Sequence, residues 1–210
     1  MIIAVDGPAS SGKGTVARAL ARHYGLPHLD TGLLYRAVGM TVLAGDGDPA
    51  DPVAAEAATD FPAALLDDPA LRSESAGRAA SIVSAHPGVR AALLARQRDF
   101  ACQPGGAVLD GRDVGTVIAP AADAKLFVTA SPEIRARRRH AELIGRGEAV
   151  PYETVLADIL ARDARDSGRA AAPLARAADA ALLDTGDLTI DAAVQRAISL
   201  VEARIGAPLP

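Results

Sequence analysis

Short apolar runs alternate with segments of helical periodicity along most of this chain. The run Met1–Val5 contains β-branched residues and predicts a buried strand, and Val16, Leu20 and Tyr24 recur four residues apart, which predicts an amphipathic helix. Similar patterns predict strands at 28–30, 107–110, 124–129 and 180–184, and helices at 31–43, 78–100, 133–146, 152–166 and 190–205. This alternation predicts an α/β fold, with a five-stranded parallel sheet and helices on both faces.

The same pattern indicates how some of these segments end and pack. The helix at 78–100 is interrupted near His86-Pro87-Gly88, and the last helix ends at Gly206. Residues 45–70 are rich in Asp, Pro, Gly and Ala, which predicts a loop or a loosely packed cap. The last helix is predicted to place these aliphatic residues on one face: Ile190, Val194, Ile198, Val201 and Ile205.

Composition narrows the range of partners. The 210 residues suit one domain, with or without mobile inserts, and only six are aromatic, so Ala, Val, Leu and Ile must build the core. The net charge of −4 gives no general attraction for nucleic acid or anionic membranes. No run approaches the roughly 18 apolar residues of a membrane span, and no leader is evident, which favours a cytoplasmic protein. Cys102, the sole cysteine, is expected to be a small buried apolar residue.

A glycine-rich stretch joins the first strand to the first helix. Its glycines allow consecutive N–H groups to turn toward an anion, the helix start adds partial positive charge, and Lys13 adds a full charge. The usual pattern places a hydroxyl directly after the lysine, whereas here Gly14 intervenes before Thr15. A plain turn rich in Gly and Ser is the alternative. The flanking elements favour a nucleoside triphosphate site made of Gly7, Pro8, Ala9, Ser10, Ser11, Gly12, Lys13, Gly14 and Thr15.

Four polar clusters lie where predicted strands end, at 7–15, 30–36, 110–113 and 129–139. Ligands of parallel α/β sheets bind at the carboxyl ends of the strands, so these clusters predict the position of the active site. In the second cluster, Asp30, Tyr35 and Arg36 can face the cleft from one helical turn. A helix start with an Asp cap and a solvated arginine would give the same pattern.

The third cluster, Asp110-Gly111-Arg112-Asp113, combines two carboxylates with a guanidinium. In enzymes with a phosphate-binding loop, a carboxylate here holds magnesium or its waters, so Asp110 and Thr15 are candidate metal ligands. Arg112 offers a planar fork to a phosphate, and Asp113 offers an acceptor. The alternative, a turn with capping carboxylates, is less favoured because these charges would be costly beside the loop without a ligand.

Residues 131–169 hold eight arginines and seven acidic residues. Arg162, Asp166 and Arg169 share one helical face, and the single aromatic residue of the segment, Tyr152, does not make an interleaved aromatic set that could stack on nucleic-acid bases. Solvated helices joined by surface ion pairs are the alternative. Phosphoryl transfer between two anionic substrates demands charge neutralisation, and abundant arginine favours a phosphate acceptor. The four histidines, 23, 28, 86 and 140, form no usable pattern.

Five motifs together resemble the bacterial cytidylate kinases, in the family's order and over essentially the whole chain. They are G-P-A-S-S-G-K-G-T, H-L-D-T-G-L-L-Y-R, V-R-A-A-L-L-A-R-Q-R, L-D-G-R-D-V-G-T-V-I and R-D-A-R-D-S-G-R-A-A-A-P-L. The resemblance implies transfer of the γ-phosphoryl group of ATP, with Mg²⁺, to CMP or dCMP. It also implies a P-loop kinase core with a monophosphate-binding insert and a small helical lid.

The resemblance further implies how the chain is divided and what it binds. The core would comprise 1–36, 104–132 and 170–210, the insert about 37–103 and the lid about 133–169. CMP, dCMP and ATP would be the small-molecule partners of a monomer that binds neither nucleic acid nor membrane. The chain departs from the family in two places: Ser10 replaces a common glycine, and residues 45–70 are shorter than the usual insert and lack strand alternation.

Individual roles also follow from the resemblance. The glycine-rich loop would hold the ATP phosphates, and the lid residues Arg138 and Arg139 would meet them on closure. A carboxylate would accept from the cytosine amino group and repel the uracil oxygen. The implied catalytic set is Lys13, Arg112, Arg138, Arg139 and Arg162. The residues implied to read cytosine are Ser81, Arg90 and Asp113, and those near the sugar are Tyr35, Arg162 and Asp166. The acceptor phosphate would be held by Arg36, Arg112 and Arg169, and Asp30 would border the site.

Two rival functions stay open on the sequence. One is a kinase for another small acceptor, such as UMP or a hydroxyl compound, and the other is a regulatory ATP-binding module that signals by conformation. A guanine-nucleotide switch is excluded, because it relies on an Asn-Lys-x-Asp motif and the chain contains no asparagine. A module would consume ATP without needing CMP.

Overall fold

A computed structural model describes residues 1–206 of the chain, so residues 207–210, the end of the predicted core segment 170–210, lie outside the described residues. The chain divides into two compact units. The first, called the sheet unit here, comprises Met1–Leu29 and Ala101–Pro210, and the second, called the helical unit, comprises Asp30–Phe100.

Five strands form a single sheet. They are β1 (Ile2–Asp6), β2 (His28–Asp30), β3 (Ala107–Gly111), β4 (Ala124–Thr129) and β5 (Ala181–Asp184). Their order is β2-β3-β1-β4-β5, and the sheet is all-parallel with helices around it, which confirms the predicted fold class. Because β1 lies in the middle, the loop that follows it opens at the centre of the carboxyl edge.

Eight α-helices connect or flank these strands in the part of the chain that is described. They are α1 (Lys13–Tyr24), α2 (Thr31–Ala44), α3 (Pro52–Ala57), α4 (Glu74–Val83), α5 (Pro87–Ala101), α6 (Pro132–Gly145), α7 (Tyr152–Ser167) and α8 (Ile190–Ile205). A π-helical turn covers Val114–Ile118. Among residues 1–206, no helix combines the length and the apolar character needed to cross a membrane.

The core of the sheet unit lies between the sheet and the pair α1 and α8. The buried stripe of α8 is Ala193, Ala197 and Val201. The predicted aliphatic face is therefore wrong at both ends, since Ile190 is 68% exposed and Ile205 is 43% exposed. Small alanine side chains let α8 approach α1 and β4 closely, and the larger residues at its ends fall outside that contact.

The segment 45–70 is more ordered than its composition predicts. It contains α3 and a 3₁₀ helix at Ala63–Asp67, and a second 3₁₀ helix begins at Pro69. Asp51 caps α3 by accepting from the Val53 amide at 3.0 Å, and Pro52 suits the first helical position. Ala55 is fully buried. The segment is therefore partly the predicted exposed loop and partly short helices that its composition does not predict, because Asp and Pro serve here as helix-start signals.

Cys102 is exposed, so the prediction that it is buried is wrong. The last residue of α5, Ala101, is 1% exposed and takes the inward position at this point of the chain. The following residue enters the turn before β3, where its side chain faces outward.

Candidate active site

The glycine-rich loop is fixed to the strands on either side of β1. The Gly7 amide donates to the Gly111 carbonyl at 3.3 Å. A Cβ atom at Gly7 would lie 2.0 Å from the Val128 carbonyl oxygen, so only glycine fits between β3 and β4 at this point. At the other end of the loop, Gly12 adopts a left-handed φ of 89° as the N-cap of α1.

The start of α1 lacks the side-chain cap that several other helices of the chain have. No side chain caps it, and its first turn carries no acidic residue. In contrast, Asp30, Ser73 and Thr189 cap α2, α4 and α8 by accepting from backbone amides. A helix start without its own side-chain acceptor, preceded by a glycine loop, has the geometry that binds phosphate.

Two side chains of the loop add to this picture. The Lys13 ammonium donates to the Pro8 carbonyl at 3.4 Å, so the side chain turns back over the loop. Ser10 adopts φ 59° in the left-handed region. That conformation costs a non-glycine residue about 1 kcal/mol. The chain therefore closes the same loop with some backbone strain.

Asp110 lies at the end of β3 and borders the start of α1. It is 2% exposed, and its Oδ2 atom lies 3.6 Å from the place where a Cβ atom on Gly14 would stand. Its Oδ1 atom lies 2.7 Å from Nε2 of His28. Hydroxyl and carboxylate oxygens suit Mg²⁺, which takes few protein ligands and keeps waters and phosphate oxygens, so Thr15 and Asp110 fit that ion. Within residues 1–206, no group of three or more His, Cys, Asp or Glu side chains could hold a metal.

A cavity of about 480 Å³ opens beside the loop, between α1, α6 and the start of α8. Part of its wall is polar and cationic, and the rest is apolar. The polar wall includes Ser10, Thr15, two arginines, Arg138 and Arg139, and one acid, Glu142, and the apolar wall includes Val16, Leu188, Ile190 and Ala193. A cavity with a cationic, loop-lined side and an apolar side is suited to a nucleotide, whose phosphates and base differ in the same way.

Thr185 connects this cavity to the loop. It follows β5, is 3% exposed, and its hydroxyl accepts from the Arg138 guanidinium at 2.9 Å. The single hydroxyl proton is placed between the carbonyl oxygens of Ser11, at 2.9 Å, and Thr129, at 3.1 Å. Arg138 is thereby fixed to the wall of the cavity. Arg139, the other predicted lid arginine, pairs with Glu142 at 2.6 Å.

Arg135 ties the lid helices to the loop. It is 3% exposed, donates to the Ala9 carbonyl at 3.2 Å and the Ala130 carbonyl at 2.9 Å, and forms a two-pronged pair with Asp163 on α7. The predicted alternative of surface ion pairs is therefore wrong for this arginine. It holds for Glu142 and Arg139, which lie at the surface.

A second arginine set surrounds Asp166 on α7. Asp166 is 1% exposed, accepts from Nε of Arg112 at 2.7 Å and also from Arg169. Burial alone would raise the pKa of Asp166, but the nearby Arg112, Arg169 and Arg162 guanidiniums hold that pKa below its usual range. The three predicted residues of α7 and its end are therefore brought together, and Arg112 joins them from the end of β3.

Asp113 and Asp6 lie at the base of the π-helical turn. Asp113 is 3% exposed and precedes the turn without capping it, so the predicted alternative of a capping carboxylate is wrong here. Asp6 accepts from the amides of Val114 and Gly115 at 2.8 and 2.7 Å. Burial raises the pKa of Asp6 to about 6, although these two hydrogen bonds oppose the shift.

The remaining predicted residues belong to the helical unit. Asp30 caps α2 by accepting from the Gly32 amide at 2.9 Å. Arg36 donates to the Leu71 carbonyl at 2.7 Å, and the Arg90 guanidinium lies 5.7 Å from the centre of the Tyr35 ring. Ser81, on α4, is 2% exposed. These residues lie on α2, α4 and α5 or cap them, and the contact of the Arg90 guanidinium with the Tyr35 ring joins two of these helices.

Sequence reasoning missed several residues that shape the site. The four histidines form no sequence pattern, and the partner of His28, Asp110, is 82 positions away. Thr185 and Asp163 act through contacts with distant backbone or side chains. The only signal for them was position, since Thr185 directly follows a predicted strand and therefore lies at the carboxyl edge.

The chain matches known proteins along nearly its whole length. One family, described as cytidylate kinase, matches residues 3–203. A cytidylate kinase from Xanthobacter autotrophicus is 66% identical over 204 residues, covering 97% of this chain and 98% of that protein. One from Caulobacter sp. is 59% identical over 211 residues, covering 99% and 98%. The crystal structure of an uncharacterized protein from Eubacterium ventriosum aligns with a TM-score of 0.59 at 18% identity, covering 97% of this chain and 99% of that chain, which supports the fold alone.

Proposed function

Because the chain belongs to the cytidylate kinase family, we propose that it transfers the γ-phosphoryl group of ATP to CMP and dCMP, giving CDP and dCDP. The observation that carries this proposal is the cavity that joins an uncapped, glycine-lined helix start to two arginines. Such a surface neutralises a chain of phosphates, and positioning with charge neutralisation dominates phosphoryl transfer.

The donor end is assigned to the sheet unit. The loop amides and Lys13 would hold the ATP phosphates, with Arg138 and Arg139 beside them, and the base would occupy the apolar wall near Leu188 and Ile190. Thr15 and Asp110 would hold Mg²⁺ directly or through water. When bound, the ion would offset charge on the phosphate oxygens.

The acceptor residues are proposed from the resemblance to the family. Arg112, Arg169 and Arg36 would hold the CMP phosphate, which is already a dianion at neutral pH because its second pKa is about 6, so no general base is required. Asp113, with Ser81 and Arg90, would read cytosine. Tyr35 and Arg162 would lie near the sugar. Asp166, which bonds Arg112 and Arg169, would orient two of the phosphate-binding guanidiniums in addition to its role near the sugar.

The larger divisions are proposals of the same kind. The monophosphate-binding insert is proposed at about 37–103, most of which falls within the helical unit, and the lid is proposed at about 133–169, a range that contains α6 and α7. The active species is proposed to be a monomer whose partners are nucleotides.

An acceptor panel tests this function. Purified protein would be supplied with ATP, magnesium and one acceptor at a time: CMP, dCMP, UMP, AMP or cytidine. We expect kcat/KM to be largest for CMP or dCMP, clearly lower for UMP, and negligible for cytidine, which lacks the phosphate nucleophile. A preference for UMP or cytidine would replace cytidylate with another acceptor.

A further inference from the structure

His28 and Asp110 form a side-chain pair between the neighbouring strands β2 and β3. Nε2 of His28 lies 2.7 Å from Oδ1 of Asp110, and the two side chains are 18% and 3% exposed. At this distance the pair is within hydrogen-bond range, and where the Asp110 carboxylate accepts, the donor is the Nε2–H group of His28.

The other oxygen of the same carboxylate lies toward the glycine-rich loop. The pairing of β1 with β3 sets Asp110 opposite Val5, two residues before the loop begins. Oδ2 then lies 3.6 Å from the position of a Cβ atom on Gly14, next to Thr15. The carboxylate could rotate about two single bonds, and the hydrogen bond from His28 favours the rotation in which Oδ2 lies at the start of α1.

We propose that His28 is a positioning residue for the magnesium site: it holds Oδ1 of Asp110 and thereby presents Oδ2 to the ion or to one of its waters. This inference rests on the proposed function, because it takes Asp110 as the carboxylate that serves the metal. His28 does not touch the ion. Hydrogen bonds that orient a ligating side chain commonly change metal affinity by about 10- to 100-fold.

Two variants of similar polarity separate this role from packing. In His28→Gln, the side-chain amide nitrogen can reach the place of Nε2, whereas in His28→Asn it ends near the place of Nδ1 and falls short of Asp110. His23→Gln is the matched control, since His23 is exposed on α1 and packs edge-on against Tyr24.

The readout is calorimetric binding of ADP, once with excess magnesium and once with EDTA. The dissociation constant of ADP in EDTA divided by that in magnesium measures how strongly magnesium supports nucleotide binding. We expect His28→Asn to reduce this ratio about tenfold and His28→Gln to retain most of it. We expect His23→Gln to leave the ratio unchanged, and all three variants to bind ADP equally in EDTA.

Two results would overturn the proposal. Equal ratios in His28→Asn and His28→Gln would show that the hydrogen bond is irrelevant to the metal. A parallel loss of ADP affinity with and without magnesium would show that His28 only supports the fold. The assay needs no turnover, so a protein that binds magnesium and ADP in this way but makes no CDP would refute the proposed function and leave the role of His28 standing.

If His28→Asn does not fold, the proposal can be tested by NMR on the unaltered protein. With ¹⁵N-labelled histidine, the Nε2–H signal of His28 should shift when magnesium is added to the ADP complex, and shift little when ADP is added in EDTA. A signal that ignores magnesium, or a proton found on Nδ1 instead, would contradict the positioning role.

Discussion

The glycine-rich loop and the arginine set around Asp166 gather positive charge by different means. The loop does so with contiguous residues, backbone amides and one lysine, and its shape is set by Gly7 and Gly12. The arginine set takes Arg112 from the end of β3 and Arg169 from beyond α7, and it depends on one buried carboxylate. The loop therefore depends on residues that are adjacent in the chain, whereas the arginine set depends on residues far apart in the chain. Replacing Asp166 by a neutral residue would remove the carboxylate that holds those arginines together.

The largest effect on activity is expected at Lys13, and a comparison with the chain's other lysine, Lys125, distinguishes a loss of activity from a loss of stability. Lys13→Met should lower kcat/KM for CMP about 10³-fold, because it removes the one full charge of the loop, and should leave the melting temperature nearly unchanged. Lys125→Met is the matched variant, since Lys125 is 8% exposed, lies on β4 rather than in the loop, and pairs with Asp179 at 2.9 Å. It should lower stability and retain most activity. Near-normal rates for Lys13→Met would remove Lys13 from the mechanism.

The next prediction concerns the carboxylate that holds the arginine set together. Asp166→Asn should lower the free energy of unfolding by about 3 kcal/mol and raise KM for CMP, because it leaves buried guanidiniums without their carboxylate. Glu142→Gln, at an exposed pair with Arg139, should cost less than about 1 kcal/mol. Chemical denaturation of both variants checks this, and equal costs would mean that Asp166 is no more important than a surface carboxylate.

The pH dependence of the Asp166 contribution has a defined sign. Folding lowers its pKa, so the stabilisation is present above the pKa of the unfolded chain and is lost as the pH falls below about 4. Asp166→Asn should therefore lose less stability than the unaltered protein in that acidic range.

Asp6, at the end of β1, should give the opposite dependence. Its pKa is raised to about 6 in the folded protein, so the folded state binds more protons than the unfolded state between about pH 4 and pH 6. Stability should fall by up to about 3 kcal/mol as the pH rises through that window. Denaturation curves of Asp6→Asn, which cannot ionise, should lack this fall. An identical pH profile in the variant would assign the effect to another group.

A smaller effect is expected on the selectivity between CMP and UMP when Asp113, the residue after Arg112, is replaced. Asp113→Ala should reduce the ratio of kcat/KM for CMP over UMP by about tenfold, because the uracil oxygen would no longer be repelled. Asp99→Ala, at an exposed position on α5, serves as the control. An unchanged ratio in Asp113→Ala would count against its base-reading role.

The smallest effect concerns the loop backbone. Ser10→Gly should raise the free energy of unfolding by about 0.5 kcal/mol, because relief of the left-handed conformation slightly exceeds the added flexibility of the unfolded chain. Ala172→Gly relieves a similar φ of 51° outside the loop and should stabilise by a similar amount. Thermal melts compare the two, and a destabilised Ser10→Gly would mean that the serine side chain contributes more than its strain costs.

The same contrast explains what the sequence could predict. The sheet, the loop and the order of helices follow from periodicity and from glycines at fixed spacing, which are local signals. The bonds of His28 to Asp110 and of Thr185 to Ser11 join residues far apart in the chain, and periodicity carries no information about them. The short helices within 45–70 are not predicted because Asp and Pro begin helices as readily as they form turns.

The site residues divide along the same line. The loop could be named as one block, and the arginines of 131–169 could be named as a cluster. The partner of each arginine could not be predicted from the sequence. Arg135 bonds Asp163 and the loop backbone, and Arg138 bonds Thr185. Arg112 and Arg169 both bond Asp166. Which guanidinium is tied to which partner depends on how the helices pack.

The central claim is that the phosphoryl group passes from ATP to CMP on this protein. Phosphorus NMR of a mixture of protein, ATP, CMP and magnesium follows each product directly. The account predicts that ADP and CDP appear in equal amounts and that ATP is stable when CMP is left out. Release of ADP and inorganic phosphate at the same rate with and without CMP would contradict it.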